Sequence, residues 1–372
     1  MTMVAVTTVA VTQAQTSPQF WAGREVFVTG HTGFKGAWLS LLLQQMGACV
    51  TGLSLAPPSS PNLFDSAQIA DGMTSVIGDI RDYELLAAAL KKSQASVVFH
   101  LAAQAIVAEG YRAARETFAT NLMGTVNLLD AIRAASNVKA AVIVTSDKCY
   151  APSGSERSLV EGDPLGGKDP YSASKSCAEI ATASWRTSFF EGAQAKQIAT
   201  ARAGNVIGGG DWSAHRLLPD IMRAFLANAP LVLRMPNAIR PWQHVLDALS
   251  GYLILAEKMC ADRGADFAQA WNFGPVAADH LTARNVAERC AQLWGDAAKI
   301  EIAENNFQIE TPALRLDATR AREILGWQPH WTADDALRHT VAWYRQWKMR
   351  AADPQAIRDL TLQQIQQFGT AH

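Results

Sequence analysis

The chain reads as an α/β protein built on a Rossmann-type, doubly wound parallel sheet with a smaller α/β C-terminal lobe. Three observations predict this. Short apolar runs alternate with helical patterns from Glu25 to about Asn205, as in a parallel sheet covered on both faces. A glycine triplet, Gly30, Gly33 and Gly36, follows the first run directly and opens a helical pattern. Beyond Asn205 the alternation breaks down, so a differently built lobe begins there.

The elements follow in order. Val26 to Thr29 is a buried-strand signal, and a helix runs from Ala37 to about Met46, with Gly47 suited to end it. Cys49 to Leu55 and Ser75 to Asp79 read as the second and third strands, and Tyr83 to Lys91 as a helix. Ser96 to Leu101 is a fourth strand, followed by one helix from about Arg115 to Ala135 and a fifth strand from Ala140 to Thr145. Ala151 to Asp169, rich in Gly, Ser and Pro, is a loop placed to overhang a site. A helix starts at Tyr171, and Ile198 to Ala203 is a strand ending in Gly204-Asn205. Arg216 to Asn228 reads as a helix with Pro219 in its opening turn, and Thr332 to Arg350 as an amphipathic one. The predicted division is a flexible extension over 1–23, a dinucleotide-binding domain over 24–205 with a returning segment near 244–272, and a second lobe over 206–243 and 273–372.

A net charge of -1 and 18% charged residues argue against nucleic acid or an anionic membrane as the main partner. No stretch is long and apolar enough to span a bilayer, and the first twenty residues lack the basic start of a secretory signal. The five cysteines show no CxxC pair and no zinc spacing, so reduced thiols in a cytoplasmic setting and no metal site are expected. The eleven tryptophans, several of them late in the chain, are assigned to packing.

Two short segments carry the chemistry. Tyr171 and Lys175 stand four apart, on one face of a helix, where an ammonium can hold a phenol ionised so that it takes a proton from a sugar hydroxyl. Ser146, Asp147 and Lys148 follow the fifth strand at its carboxyl end, where ligands of open α/β sheets bind. Ser146 supplies a hydroxyl for the same substrate oxygen, and Asp147 with Lys148 an acid and a base; a solvated turn pair is the plain alternative. The glycine triplet permits a tight turn and close approach of backbone N–H groups to a pyrophosphate at a helix N-terminus. No acidic residue ends the second strand to hold a ribose diol, which leaves NAD and NADP both open on local grounds. Lys35 is placed to approach a phosphate and Asp79 to serve the adenine region. Arg240, beside Trp242 and His244, offers a guanidinium suited to a diphosphate.

With these residues assembled, the chain resembles the extended short-chain dehydrogenase/reductase superfamily from Glu25 onward, and within it the CDP-glucose 4,6-dehydratase family. The carrying motifs are TGHTGFKG (Thr29 to Gly36), HLAAQ (His100 to Gln104), TSDKCY (Thr145 to Tyr150), DPLGGKDPYSASK (Asp163 to Lys175), ARAGNVIGGGDW (Ala201 to Trp212), RLLPD (Arg216 to Asp220), PNAIRPWQHVLD (Pro236 to Asp247) and LDATRAREILGWQP (Leu316 to Pro329). Asp147-Lys148 is specific to the CDP-glucose branch, other branches having Asp-Glu. The resemblance implies loss of water from CDP-glucose to give the 4-keto-6-deoxy sugar, with NAD held throughout turnover. It implies Ser146, Asp147, Lys148, Tyr171 and Lys175 as catalytic residues. Cofactor contacts are implied at Gly30, Thr32, Gly33, Phe34, Lys35, Gly36, Asp79, Ile80, Leu101, Ala102, Ala103, Asn121, Thr145, Tyr171, Lys175 and Arg202. Substrate contacts are implied at Gln104, Asn205, Arg216, Leu217, Arg240 and His244. A homodimer or homotetramer, commonly built through paired helices, is implied as well.

The chain departs from the family at Ala105 to Ala108, at Lys168, at Ser213 to His215 and at Ala151 to Gly154, all near the expected sugar and diphosphate. Two rival readings therefore stand: a dehydratase, 4-epimerase or reductase on another nucleotide sugar, and a silent sugar-nucleotide binder. The elimination pair weighs against an epimerase, and the intact Ser146, Asp147, Lys148, Tyr171 and Lys175 weigh against a binder.

Overall fold

In the computed structural model of the chain, the described residues are 14–152, 157–192, 195–295, 298–303 and 313–369. Seven parallel strands form the main sheet: β1 (Glu25–Thr29), β2 (Cys49–Ser54), β3 (Thr74–Ile77), β4 (Val97–His100), β5 (Ala140–Val144), β6 (Gln197–Ala203) and β10 (Ala270–Phe273). Their order is β10-β6-β5-β4-β1-β2-β3. The chain leaves β1 towards one edge and returns past it to β4, so the carboxyl ends of β1 and β4 flank the reversal point where such sheets open a crevice. β4 and β5 are buried at every position, as a sheet covered on both faces requires. Five further short strands lie among the described residues: β7 (Asn205–Ile207), β8 (Leu231–Leu233), β9 (Ile239–His244), β11 (His280–Thr282) and β12 (Ile300–Ile302). They form a three-stranded sheet, β11-β9-β7, and a pair, β12-β8.

Two hydrophobic clusters cover the sheet, one joined by Phe27, Val98, Leu128 and Ile198, the other by Val28, Trp38, Leu249 and Trp271. The tryptophans expected to pack do so, with Trp271, Trp327 and Trp343 fully buried. The first helix begins at Phe34 rather than Ala37, because Gly33 takes the extended N-cap conformation. It ends as expected, with Gly47 at a φ of 79°.

The extension is corrected in part. Residues 1–13 lie outside the described residues, whereas 14–23 are docked. Pro18–Trp21 is a helix with a fully buried Trp21, whose indole N–H donates to Glu257 at 2.6 Å. The Ala14 N–H donates to the Gly326 carbonyl, which pins the segment at its other end. One tryptophan aimed into a core outweighs a polar surrounding sequence. The helix expected over 115–135 is divided into Ala114–Phe118, a wider π turn Ala119–Met123, and Gly124–Ala134. Gly124 sits against Ile80, where a Cβ would come within 2.4 Å of Ile80 Cδ1. A further helix, Val107–Arg112, precedes them.

Candidate active site

The glycine turn forms a tight cradle in which two of its glycines leave no room for a side chain. Gly30 has a φ of 77°, and a Cβ there would lie 2.6 Å from the Ala102 nitrogen. A Cβ on Gly36 would lie 2.0 Å from the Gly30 carbonyl oxygen. Gly33 caps the Phe34–Gln45 helix without a side chain, so the first-turn N–H groups keep their positive end for an anion. These residues fit the diphosphate of a dinucleotide. Leu101, Ala102 and Ala103 leave β4 beside Gly30, and the Ala102 N–H donates to Thr29 Oγ1 at 3.3 Å.

Downstream of this cradle lies a cavity of about 340 Å³ lined by Lys35, Thr145, Ser146, Asp147, Lys148, Tyr171, Asn205, Arg216, Leu217 and Arg240 among others. Four separate parts of the chain therefore meet: the glycine turn, the end of β5, the Pro170–Phe189 helix and the β7 to β9 region. Asp169 caps that helix, its carboxylate accepting from the Ser172 N–H at 3.0 Å, and Pro170 occupies the first turn. Tyr171 is thereby held one residue inside the helix, with Lys175 one turn further on. Ser146 Oγ donates to Asp147 Oδ1 at 3.1 Å and accepts from the Lys148 N–H at 3.2 Å, which closes the turn after β5.

Burial governs the electrostatics of this cluster. It raises the Asp147 carboxyl above the usual range, against the charges of Lys148, Arg240 and Lys35 and the Ser146 hydrogen bond. Burial also lowers Lys35 to about 7, with Arg216 and Lys175 adding to the fall. Lys175 falls to about 8 for the same reason, opposed by Glu179. Its ammonium donates to the Val144 carbonyl at 3.1 Å. Tyr171 is raised by burial despite its hydrogen bond with Ser146 and the nearby Arg216 charge. Among the protein's own groups, desolvation of the phenolate is therefore the largest influence on Tyr171.

Several expected contacts are turned elsewhere. The Arg202 guanidinium, expected at the cofactor, is buried in a two-pronged pair with Glu179 at 2.8 and 2.9 Å and also donates to Tyr150 Oη. Glu179 further accepts from Thr145 and Thr200, so the pair ties β5 and β6 to the helix carrying Tyr171. His244, expected at the substrate, is fully buried with its ring edge-on to Trp38 and Trp331. Its Nδ1 accepts from the Leu246 N–H, capping the Val245–Met259 helix. Arg240 and Trp242 of β9 line the cavity, whereas His244, where the strand gives way to the Val245–Met259 helix, packs among aromatic rings. Gln104 and Asn121 hold each other: Asn121 donates to the Gln104 carbonyl and to Ser174 Oγ, both at 2.9 Å. The Thr32 hydroxyl is committed to Ser54 and the Leu55 carbonyl. Asp79 is paired with Arg81, whose guanidinium holds it below the usual carboxylate range. Ile80 packs in one hydrophobic cluster, and Phe34 against the edge of the other.

Other residues at the cavity had gone unassigned. Asp211 lines it from the Gly-Asp-Trp loop, a motif visible in the sequence. The Leu231–Leu233 strand gives only a three-residue apolar signal. Behind the lining, Tyr252 of the Val245–Met259 helix is buried with no hydrogen-bond partner for its hydroxyl among the described residues and lies in the field of Asp147 and Tyr171.

Comparison with known proteins agrees with this geometry. The GDP-mannose 4,6 dehydratase family profile matches residues 27–340. The CDP-glucose 4,6-dehydratase of Salmonella typhimurium is 46% identical over 332 residues, 88% of this chain and 92% of the relative. Among solved structures, an epimerase of Methanothermobacter thermautotrophicus superposes with a TM-score of 0.79 at 21% identity, over 90% of this chain and 96% of the other. The dTDP-glucose 4,6-dehydratase of Bacillus anthracis, solved in complex with NAD, superposes with a TM-score of 0.71 at 23% identity, over 87% and 97%. The chain belongs to the nucleotide-sugar 4,6-dehydratase family that this profile describes, beside the CDP-glucose 4,6-dehydratases of the extended short-chain dehydrogenase/reductase fold.

Proposed function

We propose that this protein dehydrates CDP-glucose to CDP-4-keto-6-deoxyglucose, with NAD as a resident cofactor. The observation that carries this reading is the meeting of Asp147, Lys148 and Tyr171 in one cavity, since only an elimination needs an acid and a base beside an oxidation site. NAD is supported by the glycine cradle and by family membership, and would lie along Gly30, Gly33 and Gly36 towards Tyr171 and Lys175. When bound, it supplies a reversible hydride acceptor and a positive charge.

Tyr171 takes the proton of the C4 hydroxyl, with Ser146 hydrogen-bonded to the same oxygen. The C4 ketone makes the C5 proton acidic. Lys148 removes that proton, and Asp147, whose carboxyl burial raises above the usual range, protonates the departing C6 hydroxyl. Lys148 then returns its proton to C5, and the hydrogen that left C4 ends at C6. Arg240 and Arg216 are assigned to the diphosphate. The lobe over 206–243 and 273–372 is assigned to the nucleotide sugar, and that over 24–205 with 244–272 to the cofactor. A homodimer or homotetramer is proposed, supported by apolar side chains exposed on the flanking helices, Met123 and Ile180. A cytoplasmic setting is proposed on five cysteines that form no disulfide.

Incubation of the purified protein with CDP-, dTDP-, UDP- and GDP-linked hexoses, followed by weighing the products, tests the reading. Loss of one water from CDP-glucose alone supports it. Water loss from another nucleotide sugar would move the substrate, an unchanged mass with a new isomer would make an epimerase, and no reaction would leave a binder.

A further inference from the structure

We propose that Tyr150 is a positioning residue for the elimination step: its hydroxyl, held by Arg202 and Asn272, fixes the turn that presents Asp147 and Lys148. The inference rests on the dehydratase reading above, in which the C5 base and the C6 acid stand side by side on that turn. The turn, Asp147–Cys149, is a short 3-10 helix between β5 and the loop that follows. So short a piece makes few bonds of its own, and the fastening of its ends decides where its side chains stand.

Both ends are fastened to one buried ion pair. At the near end, Thr145 Oγ1 donates to Glu179 Oε1. At the far end, Arg202 Nη1 donates to Tyr150 Oη at 2.9 Å, while its Nε and Nη2 hold the two oxygens of Glu179 at 2.9 and 2.8 Å. Glu179 lies four residues beyond Lys175 and eight beyond Tyr171 on the Pro170–Phe189 helix, so all three share one face. The clamp therefore sets the elimination pair against the helix that carries Tyr171.

The hydrogen positions at Tyr150 are forced. A guanidinium only donates, so the phenol accepts from Arg202 and gives its own hydrogen to Asn272 Oδ1, 2.7 Å away. Asn272 spends its amide hydrogens on the Leu159 and Asp317 carbonyls, at 3.1 and 2.9 Å, which leaves its oxygen for the phenol. Tyr150 is 5% exposed and Asn272 fully buried, so solvent is kept from these bonds. Packing alone would be served by a phenylalanine, since the ring already lies with Cys149, Leu159 and Leu316 in a small cluster of its own. Lys148 stands two residues from this anchor and Ser146 four, so loss of the hydroxyl falls on the C5 base before it falls on the group that serves the C4 oxygen. The fold survives that loss. The ring cluster remains, and the Cys149 carbonyl still accepts from Ser176 Oγ at 2.7 Å and from the Gly166 N–H at 2.9 Å.

Two measurements on Tyr150→Phe test the assignment. In hydrogen exchange of the protein without added ligand, peptides covering 146–151 should exchange at least about threefold faster than in wild type, the lower range for one lost hydrogen bond, with the Pro170–Phe189 helix unchanged. In rapid-quench single turnover on CDP-glucose, C4 oxidation should keep its wild-type rate, while the ratio of 4-keto-glucose nucleotide to 4-keto-6-deoxy product rises at least about tenfold. Steady-state KM should not change. A merely structural tyrosine would lower the unfolding midpoint and leave that ratio at its wild-type value, which overturns the proposal, as does unchanged exchange. Thr145 checks the other end of the clamp whether or not Tyr150→Phe folds. Thr145→Val, lacking the hydroxyl, should exchange faster over the same peptides, and Thr145→Ser, keeping it, as wild type; equal exchange in the two overturns the clamp. A wild-type protein that removes water from no nucleotide sugar takes down the dehydratase reading instead, while the exchange results still judge the clamp.

Discussion

Lys148 distinguishes the proposed chemistry from that of relatives with a glutamate at this position, and its placement beside Asp147 at the cavity makes its role separable from that of Tyr171. Lys148→Met should spare C4 oxidation, which draws on Tyr171, Ser146 and Lys175, and should stall elimination for want of a C5 base. The 4-keto-glucose nucleotide then accumulates, solvent deuterium fails to enter C5, and an Asp147→Asn variant still exchanges there. Rapid-quench mass spectrometry in heavy water reads all three outcomes. Near wild-type turnover by Lys148→Met would assign the C5 base to another group, with Lys35, lowered to about 7 in the same cavity, first in line. At this scale the sequence was legible where chemistry is local. Ser146, Asp147 and Lys148 are neighbours, and Tyr171 and Lys175 are one turn apart. It misled where a residue's partner is distant: Arg202 meets Glu179 across the helix–strand interface, and Tyr252 enters the field of Asp147 from an apolar helix with no pattern to mark it.

Two elements carry much of the site's support. The Pro170–Phe189 helix is locked to β5 and β6 by Glu179, which accepts from Arg202, Thr145 and Thr200. Glu179→Gln leaves a buried guanidinium without its counter-charge, and a loss of about 3–5 kcal/mol is expected in urea unfolding. A loss below about 1 kcal/mol, the range of an exposed pair, would show that the pair does not lock these elements. The Val245–Met259 helix opens on the buried Asp247, whose Oδ1 accepts the His330 N–H at 2.6 Å while Oδ2 has no partner among the described residues. Burial raises this carboxyl from 3.8 to about 8. Between those values the folded protein keeps a proton that the unfolded chain has released, so this group's contribution to stability falls as pH rises through the window. Asp247→Asn should remove that fall, its stability gain over wild type growing from about pH 4 to about pH 8 in paired melts. A gain that is constant with pH would place the proton elsewhere. The π turn at Ala119–Met123 marks the limit of pattern reading for elements. Apolar periodicity runs through it unbroken, while a packed Gly124 and an inward Asn121 require the wider turn.

For the whole molecule, alternation of strands and helices and the glycine turn anticipate the main sheet, whose order places the cradle and the Ser146 turn on either side of β4. The short strands β7 to β9, β11 and β12 were not legible, because three to six residues carry too little period to separate from loop. Yet β7, β8 and β9 supply a wall of the cavity, and with it Arg240 and Trp242. In the proposed account, one cavity holding Ser146, Asp147, Lys148, Tyr171 and Arg240 lets oxidation, elimination and hydrogen return proceed without release of an intermediate. That claim is tested most directly with CDP-glucose carrying deuterium at C4, incubated with the wild-type protein in ordinary water, the product being weighed and its label located. The account predicts a product lighter by one water with the deuterium in its C6 methyl group. Deuterium lost to solvent, or retained at C4 in a product of unchanged mass, would contradict it.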